Sequence, residues 1–453
     1  MDTLEPAAKD LPVCPDEKRG RAASTRLDAR WPAAEIQQRS STHSGNIRWQ
    51  ELLAVYSTRD RVTILLLLGF SLLVRIVAWQ LIFSGNRHAG EVWDAYGYYF
   101  RATGFEQMLL DLFQGRFPSD EARLIAYSSH WPPLQAGLLS LAFLLFGSKI
   151  IVGQAMMVSL STLTTLFVYL ITAKVSSRRA AIIAAMIHAV YPSFIHLSLR
   201  LLSETTYIFF SLLAIYLVLT LVETTRRRWA WLLAVGAGLL LGLSALARAA
   251  ALPWVGMLAL WIGWRIRGTR LRLLLPAAML AVTAVTVLPW EVALFRAEGR
   301  FVLLATSGEE NLLRGNNPWI PEGFGSHGLL TMPKMLEASQ QYAEQHGVSD
   351  KEADRELALI EIRKDPAGFV ERGFYKLREL WSVDSDIVLF ILTIIYPPLR
   401  AGLAAAILLA TLAALPILQA LAVWGLLAPK PALRARELFV ALTAGTMVVI
   451  FVT

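Results

Sequence analysis

The sequence predicts an all-α polytopic membrane protein, and three observations support this fold class. Of the 453 residues, 55% are hydrophobic and 17% are charged, and the mean hydropathy is +0.49. Soluble domains carry about a quarter charged residues. The apolar residues lie in blocks of about 20, the length that a helix needs to cross a bilayer. Together these features exclude an ordinary soluble enzyme and a wholly disordered chain.

About nine stretches are apolar and long enough to be predicted membrane spans. They are residues 62–83, 150–173, 180–198, 204–222, 229–247, 251–264, 273–289, 401–427 and 437–453. A further apolar stretch, 135–147, has only 13 residues, and counting it as a span would reverse the orientation of everything after it. Because the basic clusters of the later loops would then all face outwards, we expect it to be an interfacial or re-entrant helix instead.

The basic residues of the short loops predict the orientation. Their clusters at 174–179, 226–228, 265–272 and 430–436 all face the cytoplasm if the N-terminus is cytoplasmic and 135–147 does not cross. Topology thus explains the net charge of +8 better than nucleic-acid binding does. The predicted location is the plasma membrane, the inner membrane in a bacterium, with the long loops on the outer, periplasmic side.

This topology divides the chain into four regions. We expect a disordered cytoplasmic tail over 1–60 and a transmembrane region over 61–289, which includes a first outer loop at 84–149. A large, mainly helical outer loop follows at 290–386. The C-terminal transmembrane region, 387–453, stops within an apolar run, as a truncated chain would.

The first outer loop contains three candidate site residues, Glu91, Asp94 and His130. A carboxylate at the outer membrane surface can act as a general base, and Asp94 lies just beyond the first span. Asp is also a favoured N-cap, so the other interpretation of Asp94 is that it begins the amphipathic helix that follows. Glu91 is a weaker candidate, because a solvated acid in a loop explains this residue better than a catalytic role does. His130 suits either a phosphate contact or a helix cap.

Three charged residues lie at the outer ends of predicted spans. Ionisable groups at membrane depth are costly and usually face a cavity or a partner. Glu204 opens an apolar helix four residues after Arg200, so a local ion pair at the helix terminus is one interpretation. Arg248 contradicts the positive-inside pattern, and either an anionic ligand or snorkelling to the headgroups explains it.

The second outer loop contains Arg314, Asn316 and Asn317 in an Arg-Gly-Asn-Asn-Pro sequence. This composition is typical of a turn. The same side chains also suit a ligand, because amides orient sugar hydroxyls and Arg binds phosphate. Further on, Ser349–Glu352 is a capping box, and Asp365-Pro366 predicts the start of another helix.

In order and spacing, these motifs resemble the GT-C type of membrane glycosyltransferase, in the branch of protein O-mannosyltransferases and bacterial lipid A aminoarabinose transferases. The resemblance runs from about residue 62 to 385. It departs from the family at Ala95, where Glu is common, and at Trp131, where Lys is common. The matching landmarks are Asp94 with Tyr98, Pro132-Pro133-Leu134, Phe146-Gly147, Glu204 after Pro192 and Arg200, Arg248, Gly315–Pro318, and Asp365-Pro366 with Phe369, Lys376 and Trp381.

The resemblance implies transfer of a sugar from a polyprenyl-phosphate donor to a hydroxyl of a glycolipid, polysaccharide or protein. Asp94 would be the general base of an inverting displacement. Glu204 would orient the acceptor, hold an arginine, or join Asp94 around a divalent metal, and no cofactor is certain. The residues implied in substrate binding are Glu91, Tyr98, His130, Arg200, Arg248, Arg314, Asn316 and Asn317.

Two other classes of function account for charged residues in a membrane protein. One is a transporter or flippase of lipid-linked sugars, and the other is a non-catalytic subunit of a membrane complex. The large outer loop argues against a transporter, whose site is expected near the bilayer midplane. Release of free polyprenyl phosphate would identify an enzyme, and vectorial movement without release would identify a carrier.

Overall fold

The computed structural model describes residues 58–83, 94–268, 270–324, 328–382, 388, 401–427 and 436–452. The expectations for residues 1–57, for Glu91 and for most of 383–400 lie outside these residues. The described residues form helices and no strand. The helices are α1 Thr58–Phe83, α2 Asp94–Phe113, α3 Asp120–Ala126, α4 Leu134–Phe146, α5 Ile150–Val175, α6 Arg178–Val190, α7 Pro192–Ser198, α8 Ser203–Glu223, α9 Arg227–Ala247, α10 Leu252–Arg265, α11 Leu271–Glu298, α12 Ser307–Arg314, α13 Gly328–His346, α14 Asp350–Lys364, α15 Pro366–Leu380, α16 Ala401–Leu427 and α17 Arg436–Val452.

Six of the described helices are long and apolar enough to cross a membrane: α1, α5, α8, α9, α11 and α16. A seventh span results if the bent pair of α6 and α7 is counted as one. Two other predicted spans correspond to α10 and α17, which have 14 and 17 residues. The all-α polytopic class is thus confirmed, whereas the number of nine spans is not.

Prolines explain two differences from the predicted boundaries. The span predicted over 180–198 is two helices that meet at 57°. Pro192 occupies the first turn of α7, where its missing N–H is tolerated, but it cannot continue α6. By contrast, Pro289 is tolerated inside α11, and this helix continues to Glu298, beyond the end predicted at 289.

Small residues bring α8, α9 and α11 into close contact. A Cβ on Gly238 would lie 2.4 Å from the Met279 carbonyl oxygen, and one on Gly242 would lie 2.6 Å from Thr286. The hydroxyl groups of Ser211 and Ser244 hydrogen-bond at 2.6 Å between α8 and α9. Such contacts drive helix association in lipid, where apolar burial alone gives little net gain. They hold the ends of α8 and α9 together.

The first span is attached to the bundle through a buried arginine. Arg75 is fully buried and donates hydrogen bonds to the hydroxyl groups of Ser71 and Ser161 and to the Ala189 carbonyl. A charge at this depth is costly unless polar partners surround it. The network therefore specifies how α1 packs on α5 and α6.

The outer helices begin where capping residues predict. The Ser349 hydroxyl accepts from the Glu352 amide, and the Asp365 carboxylate accepts from the Gly368 amide at 2.8 Å. Pro366 follows at the first position of α15. The 13-residue α4 rises about 20 Å, which is too short to cross the roughly 30 Å core of a bilayer.

Candidate active site

Asp94 is the first residue of α2, and its side chain is exposed. The carboxylate is therefore accessible at the N-terminus of a helix whose dipole favours a negative charge there. Its predicted roles, as an N-cap and as a general base, stay predictions. Among the described residues, α2 begins at Asp94, and its next turn contains the buried Tyr98.

Tyr98 lies one turn after Asp94 and is 3% exposed. It packs among Leu139 and Phe143 of α4 and Leu201 before α8. Burial raises the pKa of Tyr98 well above its ordinary value, and a hydrogen bond with Ser203 partly opposes this rise. The charges of Asp94, Glu204 and Arg248 also act on this hydroxyl, so the three groups lie within electrostatic range of Tyr98.

Glu204 and Arg248 form an ion pair, with 2.7 Å between Oε1 and Nη1. Glu204 is in the first turn of α8, and Arg248 caps the C-terminus of α9. Arg248 also lies 3.4 Å from the Ser203 hydroxyl. Glu204 thus holds an arginine, as one of its three predicted roles requires. This arginine is Arg248, which follows the last residue of the neighbouring helix α9.

Arg200 is buried, and its Nη1 lies 3.5 Å from Nε2 of His196, four residues earlier. Its predicted contact with a phosphate stays a prediction.

His130 links the segment before α4 to helix α12. Its Nδ1 lies 3.7 Å from the Glu310 carboxylate. Burial lowers the pKa of His130 below its ordinary value, while Glu310 acts in the opposite direction. Asp94 also acts on this imidazole. His130 therefore lies within the electrostatic reach of both Asp94 and the second outer segment.

Glu310 is held by cations from two helices. The Arg314 guanidinium lies 2.7 Å from one carboxylate oxygen, and the Lys351 ammonium lies 2.6 Å from the other. Burial alone would raise the pKa of Glu310, but the hydrogen bond from Lys351 and its positive charge produce a net lowering. The predicted phosphate ligand Arg314 is therefore already partly neutralised by its own helix.

Asn316 and Asn317 lie just after the C-terminus of α12, which ends at Arg314. Both are buried, and their amide groups donate to the carbonyls of Leu312 and Leu313. These are the bonds expected from a helix C-terminus that would otherwise leave carbonyls unsatisfied. The structure thus shows the turn that the Gly-Asn-Asn-Pro composition predicts. Contact of these amides with a sugar stays a prediction.

Two functional candidates escaped the sequence analysis of the site. Arg101 is 3% exposed and donates to the carbonyls of Ala126 and Trp131, which positions the chain around His130. Its only sequence signal is a charge on the apolar side of α2. Lys376 was noted only as a landmark of the resemblance. It is 5% exposed, and its ammonium nitrogen has no hydrogen-bond partner among the described residues.

Within the described residues, no group of three or more His, Cys, Asp or Glu is placed to hold a metal ion. The carboxylate of Glu204, one half of the predicted metal pair with Asp94, is engaged by Arg248. This part of the chain offers a carboxylate, a phenol and a guanidinium, which suit proton transfer and phosphate binding.

Three solved structures, all of the oligosaccharyltransferase of Archaeoglobus fulgidus, resemble the chain. The complex with Zn and sulfate has 18% identity, a TM-score of 0.41 and coverage of 85% of this chain and 48% of that one. The apo form has 15% identity, a TM-score of 0.43 and coverage of 87% of this chain and 51% of that one. The complex of AglB with an inhibitory peptide and a dolichol-phosphate has 17% identity, a TM-score of 0.42 and coverage of 87% of this chain and 50% of that one. The chain thus spans about half the length of these proteins, and such TM-scores are too low to establish a shared fold.

No curated protein matches the sequence. A family model does match, over residues 145–305, and its description is dolichyl-phosphate-mannose-protein mannosyltransferase. The matched residues include Glu204 and Arg248 and end before Arg314. The match confirms the resemblance to GT-C membrane glycosyltransferases that the order and spacing of the motifs predict.

Proposed function

We propose that this chain is an integral-membrane glycosyltransferase that moves a sugar from a polyprenyl-phosphate donor to an acceptor hydroxyl. The observation that supports it best is the Glu204–Arg248 ion pair, which lies, like Asp94, within electrostatic range of the buried Tyr98 hydroxyl. The arrangement provides a carboxylate base and a cation at the ends of apolar helices. The family match over 145–305 supports the same class.

Asp94 is the proposed general base because it is the exposed carboxylate of the group. It takes the proton of the acceptor hydroxyl while that oxygen forms a bond to the anomeric carbon. The bond from this carbon to the phosphate oxygen breaks, and its electron pair leaves with the lipid phosphate. A single displacement inverts the anomeric configuration. General-base catalysis contributes roughly 10²–10⁴-fold to such a reaction.

Arg248 is the proposed ligand of the departing phosphate. A guanidinium offers five N–H donors, so it can hold Glu204 and still donate to an oxyanion. Its side chain is 47% exposed, which leaves room for that contact. Glu204 positions Arg248 in this account. Arg200 and Arg314 are further proposed phosphate contacts, at a buried position and in the second outer segment.

The second outer segment is proposed to cover the acceptor. The Thr306 amide donates to the Ser129 carbonyl at 2.8 Å, next to His130. The segment is therefore anchored beside His130, on which the charge of Asp94 acts. We propose that Glu91, His130, Asn316 and Asn317 help to bind the substrates, and that the site faces the periplasmic side of a bacterial inner membrane. The acceptor is a hydroxyl of a glycolipid, polysaccharide or protein.

The direct test is incubation of purified protein with radiolabelled polyprenyl-phosphate sugar and a membrane extract. The proposal expects free polyprenyl phosphate and label in a larger acceptor. A flippase would move the donor across a proteoliposome membrane without releasing the phosphate. A non-catalytic subunit would do neither, and either of these outcomes would overturn the proposal.

A further inference from the structure

A cavity of about 300 Å³ lies between α12, α15 and α17 and has two cationic side chains in its wall. Lys376 and Arg314 supply the cations, and Glu379 supplies one carboxylate. When Lys376 is protonated, the wall therefore carries an excess of positive charge. Leu380 and Ile450 complete an apolar side.

Lys376 is the unusual member of this wall. It is 5% exposed, yet its Nζ has no hydrogen-bond partner among the described residues. A buried ammonium without a partner is strongly disfavoured, so a bound anion would compensate for it. Burial lowers the pKa of Lys376 to about 8, which still leaves the amine mostly protonated at neutral pH. The Nε of Arg314, in the same wall, is also buried without a partner.

A second cavity, of about 350 Å³, adjoins the first. Leu380 lines both, and α17 runs along both, with Met447 in the second wall and Ile450 in the first. Three residues of helix rise about 4.5 Å, so the two spaces follow each other along α17. The second wall is almost wholly apolar and includes Leu212, Trp254, Trp381, Leu415, Leu442 and Met447.

We propose that these two cavities together bind a lipid phosphate, with the phosphate against Lys376 and Arg314 and the hydrocarbon chain in the apolar space. Neither wall includes Asp94, Glu204 or Arg248, and Arg314 is the one residue that this site shares with the phosphate contacts proposed for the transfer reaction. A phosphate group attached to a hydrocarbon chain complements both the cationic cavity and the apolar cavity. Free inorganic phosphate matches only the first half, and a neutral lipid only the second.

The test measures binding to the purified full chain in nanodiscs and needs no turnover, so it does not depend on the proposed transfer reaction. The probe is farnesyl phosphate, followed by isothermal titration calorimetry, with farnesol and inorganic phosphate as the two half-ligands. Lys376→Met is expected to weaken farnesyl phosphate binding at least tenfold and to leave farnesol binding unchanged. Lys364→Met, at a lysine 65% exposed on α14, is the matched control and should bind as wild type.

A second pair of variants tests the apolar half. Leu415→Trp fills the second cavity and should weaken farnesyl phosphate and farnesol alike, whereas Leu409→Trp, 67% exposed on the same helix, should change neither. Competition by short-chain phosphatidic acid would identify a glycerophospholipid site, and its failure would identify an isoprenoid phosphate site. Unchanged binding in both Lys376→Met and Leu415→Trp would overturn the proposal. Equal binding of inorganic phosphate and farnesyl phosphate would overturn its lipid part.

Discussion

Arg248 at the end of α9 reaches across to Glu204 at the start of α8, with 2.7 Å between guanidinium and carboxylate. The pair explains why an arginine lies at a helix end where the positive-inside pattern disfavours it. Its partner is an acid that is equally unusual at the start of an apolar helix. Together the two charges create a polar site where two spans end.

The first prediction concerns this ion pair. The two side chains are 47% and 30% exposed, so Glu204→Gln should change the free energy of unfolding by less than about 1 kcal/mol. Transfer activity should nevertheless fall at least tenfold, because Arg248 loses its positioning partner. Arg248→Gln should raise the KM for the donor by at least tenfold through a lost phosphate contact.

The matched control for the ion pair is Glu437→Gln. Glu437 lies 3.9 Å from Arg265 and is similarly exposed, but in α17 and away from the proposed site. This variant should keep wild-type turnover. Equal losses of activity in Glu204→Gln and Glu437→Gln would contradict the role given to Arg248.

The second prediction concerns the packing under the site. A Cβ at Gly97 would lie 2.7 Å from the ring of Trp131, whose other contacts include the ring of Tyr98 at 5.1 Å. Gly97→Ala should therefore cost about 1–3 kcal/mol of stability by overpacking. Gly137→Ala, in α4 with open space around it, should instead stabilise by about 0.5–1 kcal/mol. Thermal unfolding in detergent distinguishes the two, and equal melting temperatures would contradict this account of the packing.

The third prediction concerns pH. Burial lowers the pKa of His130 below 6.5, so the unfolded chain takes up a proton at a higher pH than the folded chain does. The contribution of this residue to stability is therefore lost as the pH falls below about 6.5. His130→Gln should show a smaller drop in Tm between pH 7.5 and 5 than wild type. The exposed His346→Gln is the control, and an unchanged slope in His130→Gln would contradict the prediction.

The fourth prediction concerns topology. In a Cys14→Ser background, a single cysteine at Lys364 of the second outer segment should react with a membrane-impermeant maleimide on intact cells. A cysteine at Arg227, in a basic loop, should react only after permeabilisation. Both positions are exposed, so access to solvent does not separate them. The reverse labelling pattern would contradict the proposed orientation.

Local signals in the sequence predict much of the fold. Ser349 and Asp365 start their helices as capping rules require, and α4 is the short apolar helix predicted over 135–147. Local rules failed where a proline was concerned, because a proline can start a helix, as Pro192 does, or be tolerated within one, as Pro289 is. Which occurs depends on the neighbouring helices, and these are not visible in a single segment.

The site was less predictable, because its contacts are non-local. Glu204 and Arg248 could each be singled out as costly charges at membrane depth, but their pairing depends on how α8 packs against α9. Lys376 and its cavity depend on α17 lying beside α15 and α12, far apart in sequence. Periodicity predicts that α15 is amphipathic, but it does not show which lysine on that helix becomes buried.

Turnover of labelled polyprenyl-phosphate sugar by Asp94→Asn, compared with Asp120→Asn, tests whether Asp94 is the general base. Asp94 and Asp120 are both exposed acids in the first turns of helices, so the two substitutions should perturb the fold to a similar extent. We expect Asp94→Asn to release at least 100-fold less polyprenyl phosphate than wild type at an unchanged Tm, because the general base is lost. Asp120→Asn should release it at the wild-type rate. Near-normal release by Asp94→Asn would contradict the proposed mechanism.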